Sequence, residues 1–358
     1  MDQHPIRDSL PCKEEKILLD GTFRGKYRGF AVFLICCAIL LAAFAVSAVW
    51  LQSSEDGIRG LGSFWKDEQG NAPVDPAETE ADTLPTEPPT NAQTPEPIPE
   101  GAVPVVDADL SYPSLGRTYI HNETPYRPSV GELLERELSF SSTVEGPRVL
   151  ILHTHTSERY LPNGTTYIDG TIGDAAYSRD ASENVLAVGE ELCCALNENG
   201  VTAIHCTVTH DDPTLSGSYS RAEQTVRRYL KEYPSIVLVI DLHRDAVTTA
   251  DGSFVRTVAS DGESAQVMAV VGSDANGTEH PRWQENLALA LQLRERLNQD
   301  LEGACRPVSL RNASFHQELA KYSLLLEVGT VANSPKEAKA AARRVGEQLA
   351  EMIQSSIL

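Results

Sequence analysis

Past Pro147 the chain alternates short aliphatic runs with longer amphipathic ones. The aliphatic runs lie at 148–153, 201–206, 236–242, 266–272, 307–310 and 323–328. Each is short and bounded by polar residues, which predicts buried strands of a parallel-type sheet. Between them the spacing predicts helices over 182–198, capped by Ser182 and stopped at Gly200, and over 218–232, 283–301 and 335–353, the last with Pro335 in its first turn. Upstream, folding begins near 103–106, and 117–139 reads as an extended piece, a turn and a short amphipathic helix. Strands alternating with helices of this length imply one α/β domain over 103–358, a mostly parallel central sheet flanked by helices. No internal repeat is present.

The first hundred residues follow a different pattern. Residues 30–51 carry no charge and only Ser47 as an obvious polar break, and at 1.5 Å per residue they span roughly 30 Å, the hydrocarbon thickness of a bilayer. Lys13, Lys16, Arg24, Lys26 and Arg28 precede this run, while Glu55 and Asp56 follow it. The positive-inside rule then makes 1–28 a cytoplasmic tail and 29–52 a single-pass anchor, with the rest of the chain extracytoplasmic. A cleaved signal peptide, with Ser47-Ala48-Val49 near its end, is the competing reading. Residues 53–102 form an acidic, proline-rich linker. Its densest part, 71–100, holds eight prolines and seven acids, too little apolar surface to offset chain entropy, so a disordered, extended tether is expected.

Composition narrows the function. A net charge of -21 leaves nothing to neutralise a phosphate backbone and argues against nucleic-acid binding. Of the seven cysteines, two lie in the apolar N-terminal run and none form a Cys-x-x-Cys pair, so neither a thiolate zinc site nor a disulfide framework is expected. Cys193 and Cys194 read as small core side chains. Gly-rich phosphate loops, a nucleophile elbow and a His-Glu-x-x-His helix are all missing from the sequence.

What remains is chemistry at strand ends, where open α/β sheets place their ligands. The run Val-Leu-Ile-Leu at 149–152 delivers His153, Thr154 and His155, with Glu158 just beyond. The run at 236–245 delivers Asp241, His243, Arg244 and Asp245, and that at 324–333 delivers Glu327. A hydrolytic zinc site needs about three protein ligands, an open position for water, and a carboxylate left uncoordinated to move protons. His153 or His155, His243, an acid from the first loop or helix, and Glu327 supply that set. On an extended strand end, residues i and i+2 point the same way, so His153 and His155 could both reach one ion. The plain alternatives are a satisfied core histidine for His243 and a structural salt bridge, for example to Arg244, for Glu327. An acid directly after three leucines in a central strand is costly unless it works or is paired. Residues 162–179 are a candidate flap.

The segment 149–160, Asp-Leu-His-Arg-Asp at 241–245, and Glu-Val-Gly at 327–329 with Asn333 and Glu337-Ala338 resemble stage II sporulation protein P, a membrane-anchored peptidoglycan hydrolase of endospore formers. So do 270–274 with His280-Pro281 and Trp283, Asn286-Leu287, and the stretch 120–126. The resemblance runs from about residue 117 to the C-terminus. That family is similar in turn to zinc-dependent N-acetylmuramoyl-L-alanine amidases. The resemblance implies an amidase-like fold, His243 as second zinc ligand and Glu327 as catalytic acid/base. The first ligand fits His155 better than His153. For the carboxylate ligand, Glu158 belongs to the sporulation motif, while Asp180 and Glu183 stand where the amidases carry theirs. Arg244 would orient Glu327 or a substrate carboxylate. The implied reaction is zinc-assisted hydrolysis of the amide between N-acetylmuramic acid and L-alanine, with an added endopeptidase activity on peptide cross-links, during septal wall degradation and engulfment. Stage II sporulation proteins D and M are the implied partners. A zinc peptidase acting only on wall peptides and a non-catalytic wall-binding scaffold are the rival functions.

Overall fold

The structure, a computed structural model, describes residues 98–111, 119–169 and 175–356. The expected cytoplasmic tail and anchor, and the linker up to residue 97, lie outside them. Among the described residues no helix is long and apolar enough to cross a membrane.

Ten strands and five helices are described: β1 Val103–Asp107, β2 Ile120–Asn122, α1 Val130–Leu134, β3 Val149–Leu152, β4 Tyr167–Ile168, α2 Val185–Glu198, β5 Ala203–His205, α3 Ser218–Glu232, β6 Leu238–Asp245, β7 Phe254–Arg256, β8 Val267–Val271, α4 Trp283–Asp300, β9 Val308–Leu310, β10 Tyr322–Thr330 and α5 Pro335–Ser355. The central sheet has seven strands in the order β2-β9-β8-β10-β6-β3-β5. Every neighbouring pair is parallel except β8 with β10. The mostly parallel α/β reading therefore holds, with one antiparallel seam. The hydrophobic pattern did not foretell a second, three-stranded sheet, β4-β1-β7, built from the region expected to be a flap and from the loop after β6. Its strands are two to five residues long, below the length at which periodicity speaks.

The two faces of the large sheet differ. Val149, Ile151, Leu238, Ile240, Leu242, Leu324, Leu326 and Val328 alternate onto one face and pack with α2, α4 and α5 in the main core. The opposite face is covered in part by α3, whose Ala222 and Val226 meet Leu150, Leu152 and Val239. Asp241 and His243 continue that second register along β6. Cys193 is buried in the main core, and Cys194, half-buried, donates to Glu190 Oε1 at 3.6 Å.

Helix ends explain several motif residues. Helix α2 is capped not by Ser182 but by Asn184, whose Oδ1 accepts from Leu186 N at 3.0 Å, while Asp180 holds Ser182. At α5, Ser334 and Glu337 form a reciprocal capping box with Pro335 behind it. Helices α2 and α5 cross so closely at Gly346 that a Cβ there would lie 2.6 Å from Ala195 Cβ. Overpacking at such a site costs about 1–3 kcal/mol and outweighs the roughly 0.5–1 kcal/mol that alanine gains over glycine in a helix. Gly346→Ala is therefore expected to lower the urea midpoint, and an unchanged or raised midpoint would show that the helices part freely.

Candidate active site

Strand register brings the site together. His243 on β6 and Glu327 on β10 are direct partners across a parallel pair, and Asp241 pairs with Leu152 at the end of β3. Adjacent strands lie about 4.8 Å apart, so the Glu327 carboxyl and the His243 ring share one lip of the sheet. Gly329 lets β10 turn there. Its φ is +70°, a Cβ would lie 2.9 Å from Asn333 Oδ1, and the register with β6 shifts between Glu327 and Thr330. Asn333, fully buried, accepts from Thr330 N at 2.9 Å and donates to Thr257 O at 2.9 Å and Glu337 Oε2 at 3.1 Å. The Glu-x-Gly, Asn333 and Glu337 motif residues thus act as a brace behind Glu327.

The two candidate first histidines part company. The chain leaves strand geometry after Leu152, so the i, i+2 argument for a shared direction does not apply. His153 turns to the helix-covered face, against Gly189 of α2. Its Nδ1 donates to Leu242 O at 2.8 Å and its Nε2 lies 2.9 Å from His205 Nε2, whose Nδ1 is 3.1 Å from Glu190 Oε2. Burial, then His205, lowers its pKa to about 3, so the ring is neutral and Nε2 accepts from His205. Both nitrogens of His153 are occupied by protein. Of the two histidines the sequence leaves open, His153 is the one set in the core.

His155 turns the other way. Its ring lies 5.5 Å from that of His243 at 75°, and its buried Nδ1 has no partner. Burial lowers its pKa, which favours the neutral ring a metal requires. The loop is fixed from below: Asp241 accepts from Thr154 N and Oγ1 at 2.8 and 2.7 Å, and Asp211 accepts from Thr156 Oγ1 at 2.6 Å and Ser157 N at 2.9 Å.

Among the three candidate acids, only Glu158 touches the histidines. Its Oε2 lies 3.2 Å from His243 Nδ1 and accepts from Arg244 N at 3.2 Å. Asp180 is exposed and holds Ser182 N and Oγ at 2.9 and 2.7 Å, and Glu183 lies 3.1 Å from Arg159 Nε. Across the His243 ring, Nε2 stands 3.0 Å from Asp241 Oδ1 without hydrogen-bond alignment. Burial alone would lower the His243 pKa, but the carboxylates of Asp241 and Glu158 outweigh it and hold the ring charged well above the usual range. In return, the His243 charge overcomes burial and holds both acids low.

Arg244 does not orient Glu327. Its side chain is buried and donates to Arg159 O at 3.0 Å and Ala176 O at 2.6 Å, stitching the loop after β3 to the sheet. The cations that lower the Glu327 pKa are His243, its partner across the strands, and then Arg306, which donates to Asp245 Oδ2 at 2.6 Å. Arg306 carried no signal in the sequence, because it stands alone before a three-residue strand. Burial, then Asp245, raises the Glu327 carboxyl to about 8, and its Oε2 is buried without a partner. Arg244→Lys should preserve the charge but lose the fork that reaches two carbonyls. The expected result is faster proteolysis of the loop after β3. Unchanged cleavage in limited proteolysis would show that the fork holds nothing.

The donor types suit a zinc-like cation: two imidazoles, one with an orphaned buried nitrogen, and a carboxylate against the second. Among the described residues, no three such donors are already spaced as a closed ligand set.

Solved structures that the chain matches include the N-acetylmuramoyl-L-alanine amidase AmiC2 of Nostoc punctiforme, at 14% identity over 60% of this chain and 99% of that one, with a TM-score of 0.34. Ami1, an N-acetylmuramyl-L-alanine amidase from Mycobacterium abscessus, gives 15%, 59%, 99% and 0.35. The catalytic domain of CwlV, an N-acetylmuramoyl-L-alanine amidase from Bacillus (Paenibacillus) polymyxa var. colistinus, gives 16%, 59%, 98% and 0.34. No curated protein matches the chain. The family model of stage II sporulation protein P matches residues 69–354, which covers the strand-end motifs, the brace behind Glu327 and the helices between them. With that match over well more than half of its length, the chain belongs to the stage II sporulation protein P family.

Proposed function

We propose that the protein is a zinc-dependent peptidoglycan hydrolase that cleaves the amide between N-acetylmuramic acid and L-alanine during sporulation. The observation that carries this reading is the meeting of His155, His243, Glu158 and Glu327 at one lip of the sheet. His155, His243 and Glu158 would hold the cation, which supplies a Lewis acid and a water of lowered pKa. Glu327 stays outside that set. Its carboxylate would accept a proton from water at Oε2 and return it to the departing amine of L-alanine. Asp241, tied to Thr154, lies 3.0 Å from His243 Nε2 and supplies a counter-charge to the ring. The 30–51 segment would anchor the enzyme in the membrane with its catalytic domain on the wall side, in company with stage II sporulation proteins D and M.

Digestion of purified sacculi by the full chain tests the reaction. Mass spectrometry should find free stem peptides beginning with L-alanine, together with glycan stripped of peptide. Products limited to opened cross-links would replace the amidase with a peptidase, and undigested sacculi with zinc supplied would leave a scaffold.

A further inference from the structure

A shallow cleft opens beside Asp241 on the face of the sheet that carries His243. Thr154, Val239 and Asp241 form its floor, and Glu223 of α3, Phe315 and His316 its wall. The Tyr219 ring joins the wall to the centre, 5.8 Å from His155, 5.8 Å from His316 and 6.2 Å from Phe315. All three wall rings are half-buried, so each keeps some surface for a ligand.

Phe315 and His316 have φ of +52° and +56°, a left-handed backbone that residues other than Gly seldom adopt, Asn, Asp and His more readily than a Phe. The strain is imposed from outside the tip. Buried Gln317 donates to Val270 O at 2.9 Å and accepts from Gly272 N at 2.8 Å. Ser273 N donates to Ala313 O at 2.8 Å, and Arg282 donates to the carbonyls of Glu318 and Ala320 at 3.1 and 2.6 Å. Gly272 permits this approach, since a Cβ there would lie 2.2 Å from Ala313 O. The loop is thus held so that two consecutive strained residues present their rings beside the centre, a pattern typical of substrate-contacting positions.

We propose that Tyr219, Phe315 and His316 form the subsite for the sugar side of the substrate, the N-acetylmuramic acid ring, an assignment that rests on the amidase reading above. A pyranose offers an apolar C–H face to aromatic rings and a rim of hydroxyls to polar groups, and this cleft sets rings beside the carboxylates of Asp241 and Glu223, which accept from hydroxyls. His316 Nδ1 lies 3.7 Å from Glu318 Oε1, which leaves Nε2 as the ring nitrogen for a sugar hydroxyl. A stem peptide fits poorly, because its carboxylates would meet Asp241 and Glu223, and like charges across an interface suppress the wrong partner.

Calorimetric titration of the full chain with a peptide-free tetrasaccharide of alternating N-acetylglucosamine and N-acetylmuramic acid, its lactyl carboxyls reduced to the alcohol, tests this, because that probe holds neither a scissile amide nor a carboxylate to meet Asp241 and Glu223. The wild type and Glu327→Gln should bind it equally. Tyr219→Ala and His316→Gly should weaken binding at least tenfold. The thermal midpoint of His316→Gly should not fall, because glycine adopts φ near +56° freely. His316→Asn, which tolerates the same backbone and keeps a hydrogen-bonding group, should recover part of the affinity. No binding by the wild type, undiminished binding in both ring variants, or a loss in His316→Gly that tracks unfolding would overturn the subsite. A chain that binds the tetrasaccharide yet frees no stem peptide from sacculi would overturn the amidase reading alone. Stem-peptide release with tetrasaccharide binding indifferent to Tyr219 and His316 would overturn the subsite alone.

Discussion

Glu327→Gln should reduce turnover on purified sacculi by about 10²–10⁴, the range that a positioned general acid–base contributes, while stoichiometric zinc is retained. The change keeps the shape of the side chain and removes its ability to take a proton. It also reverses a folding cost. Burial and the nearby Asp245 raise this carboxyl to about 8, against about 4.3 for an unperturbed glutamate. A group with a raised folded pKa contributes its full stability below the unfolded value and loses it as pH rises through the folded one. In the metal-free chain the penalty therefore grows from about pH 4 to pH 8 and reaches on the order of 3 kcal/mol near neutrality. Glutamine does not titrate, so metal-free Glu327→Gln should resist urea better than the parent at pH 7, with the two converging near pH 4. Retained turnover would remove Glu327 from the chemistry, and equal stability at every pH would mean that the carboxyl is not strained by its surroundings. A catalytic group that is costly to fold is the expected trade between activity and stability.

The central sheet was legible because its strands are fully buried aliphatic runs that end in polar residues. Its register was legible only in part. Sequence placed Glu327 and His243 at strand ends, but that β10 lies beside β6, and not β3, is a matter of topology. The sequence leaves His153 and His155 open for a local reason: the chain leaves the sheet at Leu152, so the period-two rule does not reach either residue. No pattern in the sequence distinguishes a histidine wedged against Gly189 from one left open to a ligand. Arg244 looked like a partner for Glu327 because it follows His243 directly, yet alternation along β6 sends the two side chains to opposite faces. Arg306 reaches Asp245 across 61 positions, a tertiary contact that no local pattern encodes.

His243→Ala should be the most destructive single change. His243 stands between two carboxylates, Glu158 at 3.2 Å and Asp241 at 3.0 Å, and is their shared counter-charge. Removing one member of a buried ion group leaves uncompensated charge and costs about 3–5 kcal/mol, so the metal-free variant should unfold at much lower urea and show no hydrolysis. The pH dependence has a definite sign. The raised His243 pKa means that its contribution is complete below about 6.5 and is lost as pH rises through the folded value. Glu158 and Asp241 are held low, so their contributions stand at neutral pH and are lost only as pH falls through their folded values. After dialysis against a chelator, the wild type should therefore lose stability on the alkaline side. Zinc should restore that stability while releasing a proton from His243. His155→Ala separates this role from packing, because it removes an imidazole whose buried Nδ1 has no protein partner. It should fold nearly as well as the parent, bind less than stoichiometric zinc and fail to regain alkaline stability when zinc is added. His153→Gln, placed in the His205 pair, should lower the urea midpoint and leave zinc stoichiometry unchanged. If His155→Ala binds zinc as the wild type does while His153→Gln does not, the two rings have exchanged roles and the site lies on the other face of the sheet.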